Sequence, residues 1–155
     1  MVFISGDIVI ARPPEVVFDV LADERNEPAF NPRMMRVEKV TPGPVGPGTR
    51  FEASVRSGPR LVPMTVEYTT VDRPWQLAST STMPSARIVG RLALEHVPGG
   101  TRLWWSWDVR PVGWARLLRP LLRVLGARQE RRIWAQLKRQ LESTPSAPSA
   151  EPVSV

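Results

Sequence analysis

From Thr49 to Arg110 the chain runs through five strand-like segments separated by short turn signals, and one long helical pattern follows. That order constrains the fold more than any other feature. In Thr49–Ser57, Phe51, Ala53 and Val55 share one face, while Arg50, Glu52, Ser54 and Arg56 share the other. A period of two marks a strand with one face buried and one wet. Leu61–Asp72 sets Val62, Met64, Val66 and Tyr68 on one side, and Trp75–Thr82 follows the Arg73-Pro74 turn. Ala86–Val97 opposes Ile88, Leu92 and Leu94 to Arg87, Arg91 and Glu95, and Pro98-Gly99-Gly100 then turns the chain into Thr101–Arg110. Val2–Ala11 and Met34–Val40 add two strands upstream, and TPGPVGPG, residues 41–48, is a loop.

Two short helices fall between the first two strands. Pro13 and Pro14 end the first strand, and proline with Glu15 behind it suits a helix start, so Pro14–Asp23 reads as a short amphipathic helix. Residues 24–33, interrupted by Pro28 and Pro32, form a second short helix or irregular turn. Val112 to about Ser143 is helical, with a kink or restart at Pro120 and a weak point at Gly126.

Sequential hairpins make an antiparallel sheet. A long helix with an apolar stripe of Leu118, Leu122, Leu125, Ile133, Leu137 and Leu141 must bury that stripe on the sheet. The expected fold is α+β: a seven-stranded curved antiparallel sheet wrapped round a long C-terminal helix. Residues 1–142 form one domain of a size that buries a real core. The proline- and serine-rich residues 143–155 are expected to be a disordered tail.

The segment RLWWSWDV, residues 102–109, concentrates three of the six tryptophans. Alternation puts Leu103, Trp105, Trp107 and Val109 on one face and Arg102, Trp104, Ser106 and Asp108 on the other. The wholly apolar set faces inward, and Trp134 on the helix approaches the same interior. An inward aromatic most often fills a core. A curved sheet round one helix leaves space, however, and soft bulky residues suit an adaptable apolar pocket. The expected ligand-lining residues are Phe30, Phe51, Met64, Tyr68, Trp105, Trp107, Leu118 and Trp134. Ser79 and Ser81, or Thr80 and Thr82, would add hydroxyls according to register.

The run Pro13-Pro14-Glu15-Val16-Val17-Phe18-Asp19-Val20-Leu21-Ala22-Asp23, then Phe30-Asn31-Pro32, Gly46-Pro47-Gly48-Thr49-Arg50-Phe51, Arg73-Pro74, Gly90 and Gly99-Gly100-Thr101-Arg102 resembles the START-like superfamily. That superfamily includes the polyketide cyclase/dehydrase (SRPBCC) proteins and is related to the Bet v 1 fold. The resemblance spans about residues 2–142. It implies a helix-grip fold with a hydrophobic tunnel between sheet and helix. It also implies a lipid, sterol, polyketide or similar apolar ligand, with cyclisation or dehydration in some members. Fold does not choose among these.

Catalytic signals are sparse. Tyr68 and His96, the only tyrosine and the only histidine, are weak candidates for a cyclase or dehydratase acid or base. Acidic residues read as outward and scattered, and no nucleophile elbow, metal-ligand spacing or phosphate loop occurs. No metal and no cofactor is expected. The leading expectation is therefore a carrier or sensor of an apolar small molecule.

The formal net charge of +6 resides wholly in residues 113–142, which hold eight basic residues against Glu130 and Glu142. Trp114, Arg116, Arg119 and Arg123 with nearby leucines are candidate contacts for an anionic membrane surface. Nucleic acid is not an expected partner, since no recognition motif accompanies the charge. The expected state is a monomer or homodimer. The absence of cysteine, of a leader-like N-terminus and of a membrane-length apolar run points to a soluble cytoplasmic protein.

Overall fold

The computed structural model describes residues 1–144. Seven antiparallel strands form one sheet: β1 (Val2–Ile10), β2 (Met34–Lys39), β3 (Arg50–Ser57), β4 (Arg60–Asp72), β5 (Gln76–Met83), β6 (Ala86–Val97) and β7 (Gly100–Pro111). Their spatial order is β1-β7-β6-β5-β4-β3-β2. Five neighbouring pairs are hairpins in sequence, and only β1 pairs at a distance, with β7. The sheet thus ends on β1 at one edge and β2 at the other. Helix α1 (Pro14–Leu21) and a 3-10 helix (Glu24–Ala29) connect those edges.

α1 starts where expected, with Pro14 in its first turn, and it buries Pro14, Val17, Phe18 and Leu21. Asp23 caps the following 3-10 helix through the Arg25 amide at 3.0 Å. The C-terminal helical region departs from a single kinked helix. Gly113–Leu118 is a separate 3-10 helix, and α2 runs Arg119–Ser143. Pro120 sits in the first turn of α2, where its missing N–H costs nothing, so it restarts the helix rather than bending it. Ser143, read as the first tail residue, is still helical, and residues 145–155 of the expected tail lie outside the described residues.

The core is densest where α1 and the last turns of α2 meet the sheet. Val17, Phe18, Phe51, Leu103 and Leu137 are there essentially sealed from solvent. α2 is tied to β1 at this end: Lys138 Nζ donates to the Val9 carbonyl at 2.6 Å, and Glu142 accepts from the Ala11 amide at 2.9 Å. The predicted apolar stripe holds only in this half. Ile133, Leu137 and Leu141 are buried with Trp134, whereas Leu118 and Leu125 are exposed and Leu122 is half-buried. Gly126 lets α2 touch β1, because a Cβ there would stand 2.6 Å from the Ile4 Cδ1.

Candidate functional site

The inward tryptophans are accommodated by glycines. Gly6 pairs with Trp105 across β1 and β7, and a Cβ on Gly6 would lie 2.4 Å from the Trp105 ring. Gly90 pairs with Trp107 across β6 and β7, and a Cβ there would lie 2.1 Å from that ring. Each indole lies flat on a neighbouring strand instead of projecting across the interior. Trp134 of α2 stacks on both, with ring centroids 5.3 Å from Trp105 and 6.5 Å from Trp107. Trp104 faces out beside the Arg102 guanidinium, 5.7 Å from its ring centre. Trp105 and Trp134 fill the interval between sheet and helix, and beside Trp107 a space remains.

That space is a cavity of about 370 Å³. Its floor comes from the inner faces of β1 and β3 to β7, including Ile4, Val55, Met64, Val66, Met83 and Ile88. Ala115, Leu122 and Gly126 close it from the C-terminal side, and Met34 lines it from β2. Ser79 and Ser81 supply inward hydroxyls, so the register question on β5 is settled in favour of the serines. A smaller pocket of about 70 Å³ adjoins it and shares Glu24, Glu27, Trp107 and Glu130 as lining.

Three of these shared residues are carboxylates, which overturns the expectation that acidic side chains are scattered outward. Glu24 and Glu27 come from the 3-10 helix and Glu130 from α2. Each accepts a hydrogen bond from a neutral donor. Tyr68 Oη donates to Glu24 Oε1 at 3.1 Å, Asn31 Nδ2 to Glu27 Oε1 at 2.7 Å, and Trp134 Nε1 to Glu130 Oε2 at 3.0 Å. Burial pushes the Glu24 carboxyl well above the usual range, and the Glu27 charge adds to this. Burial raises Glu130 to about 7, against the opposing pull of the Trp107 and Trp134 indole N–H groups. Trp107 Nε1 lies near enough to favour the Glu130 charge yet completes no hydrogen bond. The sequence signal for Glu130 was available: it sits three and four residues before Ile133 and Trp134, on the helix face that turns inward.

The expected lining residues divide. Phe30, Met64, Trp107 and Trp134 line one or both cavities. Phe51 and Tyr68 pack together at 5.4 Å in the core, and Trp105 lies beneath Trp134; none of these three lines either cavity. Leu118 also lines neither, because the break before α2 turns it to the surface. The two weak catalytic candidates lie outside the lining of both cavities. His96 is exposed at the strand end opposite Thr101. Tyr68 is buried behind Glu24, also reaches the Leu21 carbonyl at 3.3 Å, and is held neutral by burial and the adjacent carboxylates.

The membrane-contact candidates lie together on the surface. Trp114 is 74% exposed and Leu117 85%, with Val112, Leu121, Val124 and Leu125 also outward. Arg116, Arg119 and Arg123 are exposed among them. Among the described residues no helix is long and apolar enough to cross a membrane, and no group of three or more His, Cys, Asp or Glu is arranged to hold a metal ion.

A seven-stranded antiparallel sheet gripping a C-terminal helix over an interior cavity is a helix-grip fold of the START/Bet v 1 kind. The chain belongs to the polyketide cyclase/dehydrase and lipid transport family, whose model matches residues 1–142. A START superfamily protein from Mycobacterium smegmatis superposes with a TM-score of 0.78 at 14% identity, covering 90% of this chain and 97% of that one. An aromatase/cyclase from a Streptomyces species gives 0.75 at 17% identity, covering 90% and 93%. An uncharacterised protein of Mycobacterium tuberculosis is 31% identical over 121 residues, 73% of this chain and 71% of that one.

Proposed function

We propose that this protein holds an apolar small molecule, a lipid, polyketide or similar compound, between sheet and helix as a carrier or sensor. The observation that carries the reading is the cavity of about 370 Å³, bordered by Trp107 where its ring lies against Gly90. Its apolar floor and three methionines suit ligands of varied shape. Each square ångström of apolar surface buried there contributes about 25 cal/mol. The enzyme alternative, a cyclase or dehydratase, loses the support of Tyr68 and His96, since neither lines the cavity.

Native mass spectrometry of freshly purified protein tests the proposal. The expected result is added mass that dissociates on activation and extracts as an apolar compound. Persistent apo protein that also takes up no added fatty alcohol overturns it.

A second reading follows from the exposed patch. Leu117 and Trp114, interleaved with Arg116, Arg119 and Arg123, are an amphipathic surface that matches an anionic lipid headgroup layer. The same segment closes the cavity through Ala115 and Leu122, so docking there would bring the cavity to the bilayer. Sedimentation with phosphatidylserine vesicles should show binding that weakens with salt. Equal binding to uncharged phosphatidylcholine vesicles, or none to either, would sink it.

A further inference from the structure

The small inner pocket differs in chemistry from the chamber it adjoins. Its walls combine three aromatic rings, Phe30, Trp107 and Trp134, with the carboxylates of Glu24, Glu27 and Glu130. Asp23 also borders it but is engaged by Arg25 at 2.7 Å. Among the described residues no lysine, arginine or histidine lines it. Arg33 lines only the larger chamber and is occupied by the Arg56 carbonyl at 2.9 Å and Gln129 at 2.7 Å.

A set of carboxylates taken out of water needs either protons or a cation. The side chains that hydrogen-bond these carboxylates, Tyr68, Asn31 and Trp134, are all neutral, and among the described residues the one cation that bears on them, Arg33, acts on Glu130 through its field without hydrogen-bonding it. The rings add a second, independent preference. Phe30 and Trp107 stack on Trp134 at centroid distances of 6.4 and 6.5 Å, and all three residues border the pocket; aromatic rings attract positive charge. A metal ion does not suit this wall. Rings replace the further oxygen or nitrogen ligands it would need, and among the described residues no set of side chains is arranged for one. Roughly 10–15 Å³ holds one water, so a pocket of about 70 Å³ admits a group of several non-hydrogen atoms.

We propose that this pocket seats an organic ammonium group, so that the ligand is an amphiphile with an apolar body in the large chamber and a basic or quaternary nitrogen among Glu24, Glu27, Glu130 and the three rings. The assignment rests on the apolar-ligand reading above and adds the charge of the ligand's head. Burial alone favours the protonated forms of Glu24 and Glu130, and an ammonium seated beside them would favour their charged forms.

Three ten-carbon probes at submicellar concentration separate the possibilities: decyltrimethylammonium, 1-decanol and decanoate, each titrated against intrinsic tryptophan fluorescence. The expected order is decyltrimethylammonium tightest, by about tenfold over decanol, with decanoate weakest. General attraction cannot produce that order, because a protein of net charge +6 favours the anion. Glu130→Gln and Glu27→Gln should each cut the ratio of cation to decanol affinity about fivefold, and cooperative urea unfolding reports that the variants are folded. If decanol binds as tightly as the cation, or both variants keep the full preference, the ammonium assignment is overturned and the apolar cavity stands. If none of the three probes binds, the cavity reading itself falls, and the assignment with it.

Discussion

The two halves of α2 have similar composition and opposite fates. From Ile133 onward Ile133, Trp134, Leu137 and Leu141 are buried in the main core, with α2 packed beside β1, and Leu137 is 0% exposed. From Arg119 to Leu125 its leucines and valine face solvent or the cavity. Both halves carry arginines and leucines, so residue type does not separate them. The separation comes from the sheet. It closes on the helix where Lys138 and Glu142 tie α2 to β1, and it leaves a cavity under Leu122. One half of the helix stabilises the fold, and the other covers a space and presents an apolar, cationic surface. Contact with another element, rather than local amphipathicity, decides what a leucine does.

Paired truncations sharpen this comparison. Leu137→Ala should cost about 2–5 kcal/mol, the range for deleting a sealed core side chain, whereas Leu117→Ala should fall within about 0.5 kcal/mol of wild type. Urea unfolding of both variants checks the pair, and comparable losses would show the N-terminal half to be packed as well. Gly90→Ala should be next in size. Its new Cβ meets the Trp107 ring at 2.1 Å, so the indole must swing into the cavity. A loss of about 1–3 kcal/mol is expected from the overpacking, together with reduced uptake of decanol.

Glu130 gives a pH-dependent test between the two halves. Its folded-state pKa of about 7 lies above its ordinary 4.5, so the folded protein holds the proton that the unfolded chain releases. The associated stability is fully present below 4.5 and is lost as pH rises through 7. Glu130→Gln removes this dependence, so the variant should gain on wild type between about pH 5 and pH 8, by on the order of 2 kcal/mol. A constant difference across that range would place the carboxylate in water. The smallest expected effect on stability is that of Trp114→Ala, which should leave unfolding within about 0.5 kcal/mol of wild type while weakening sedimentation with anionic vesicles.

Much of the site was legible by parity alone. Alternation along β7 put Trp105 and Trp107 inside and Trp104 outside, as the structure has them, because a strand admits only two faces. Parity could not say how the two inward indoles lie. That depended on which residue paired with each across the sheet, and both partners are glycines. The carboxylate wall was missed for a related reason. Glu24 and Glu27 sit in a proline-interrupted segment with no period to read, and their direction is set by how the 3-10 helix packs beside β2 and α1.

The sequence by itself determined the element order, the antiparallel meander and the inward face of each long strand. These follow from local alternation, turn residues and short connections, all of which act over a few positions. Tertiary structure alone decided that a cavity remains, that Phe51, Tyr68 and Trp105 fill core while Met64 and Trp107 line space, and that three glutamates converge on one wall. Those outcomes depend on the distance between α2 and the sheet, and residues far apart in the chain set that distance together: Gly126 against Ile4, and Lys138 on Val9.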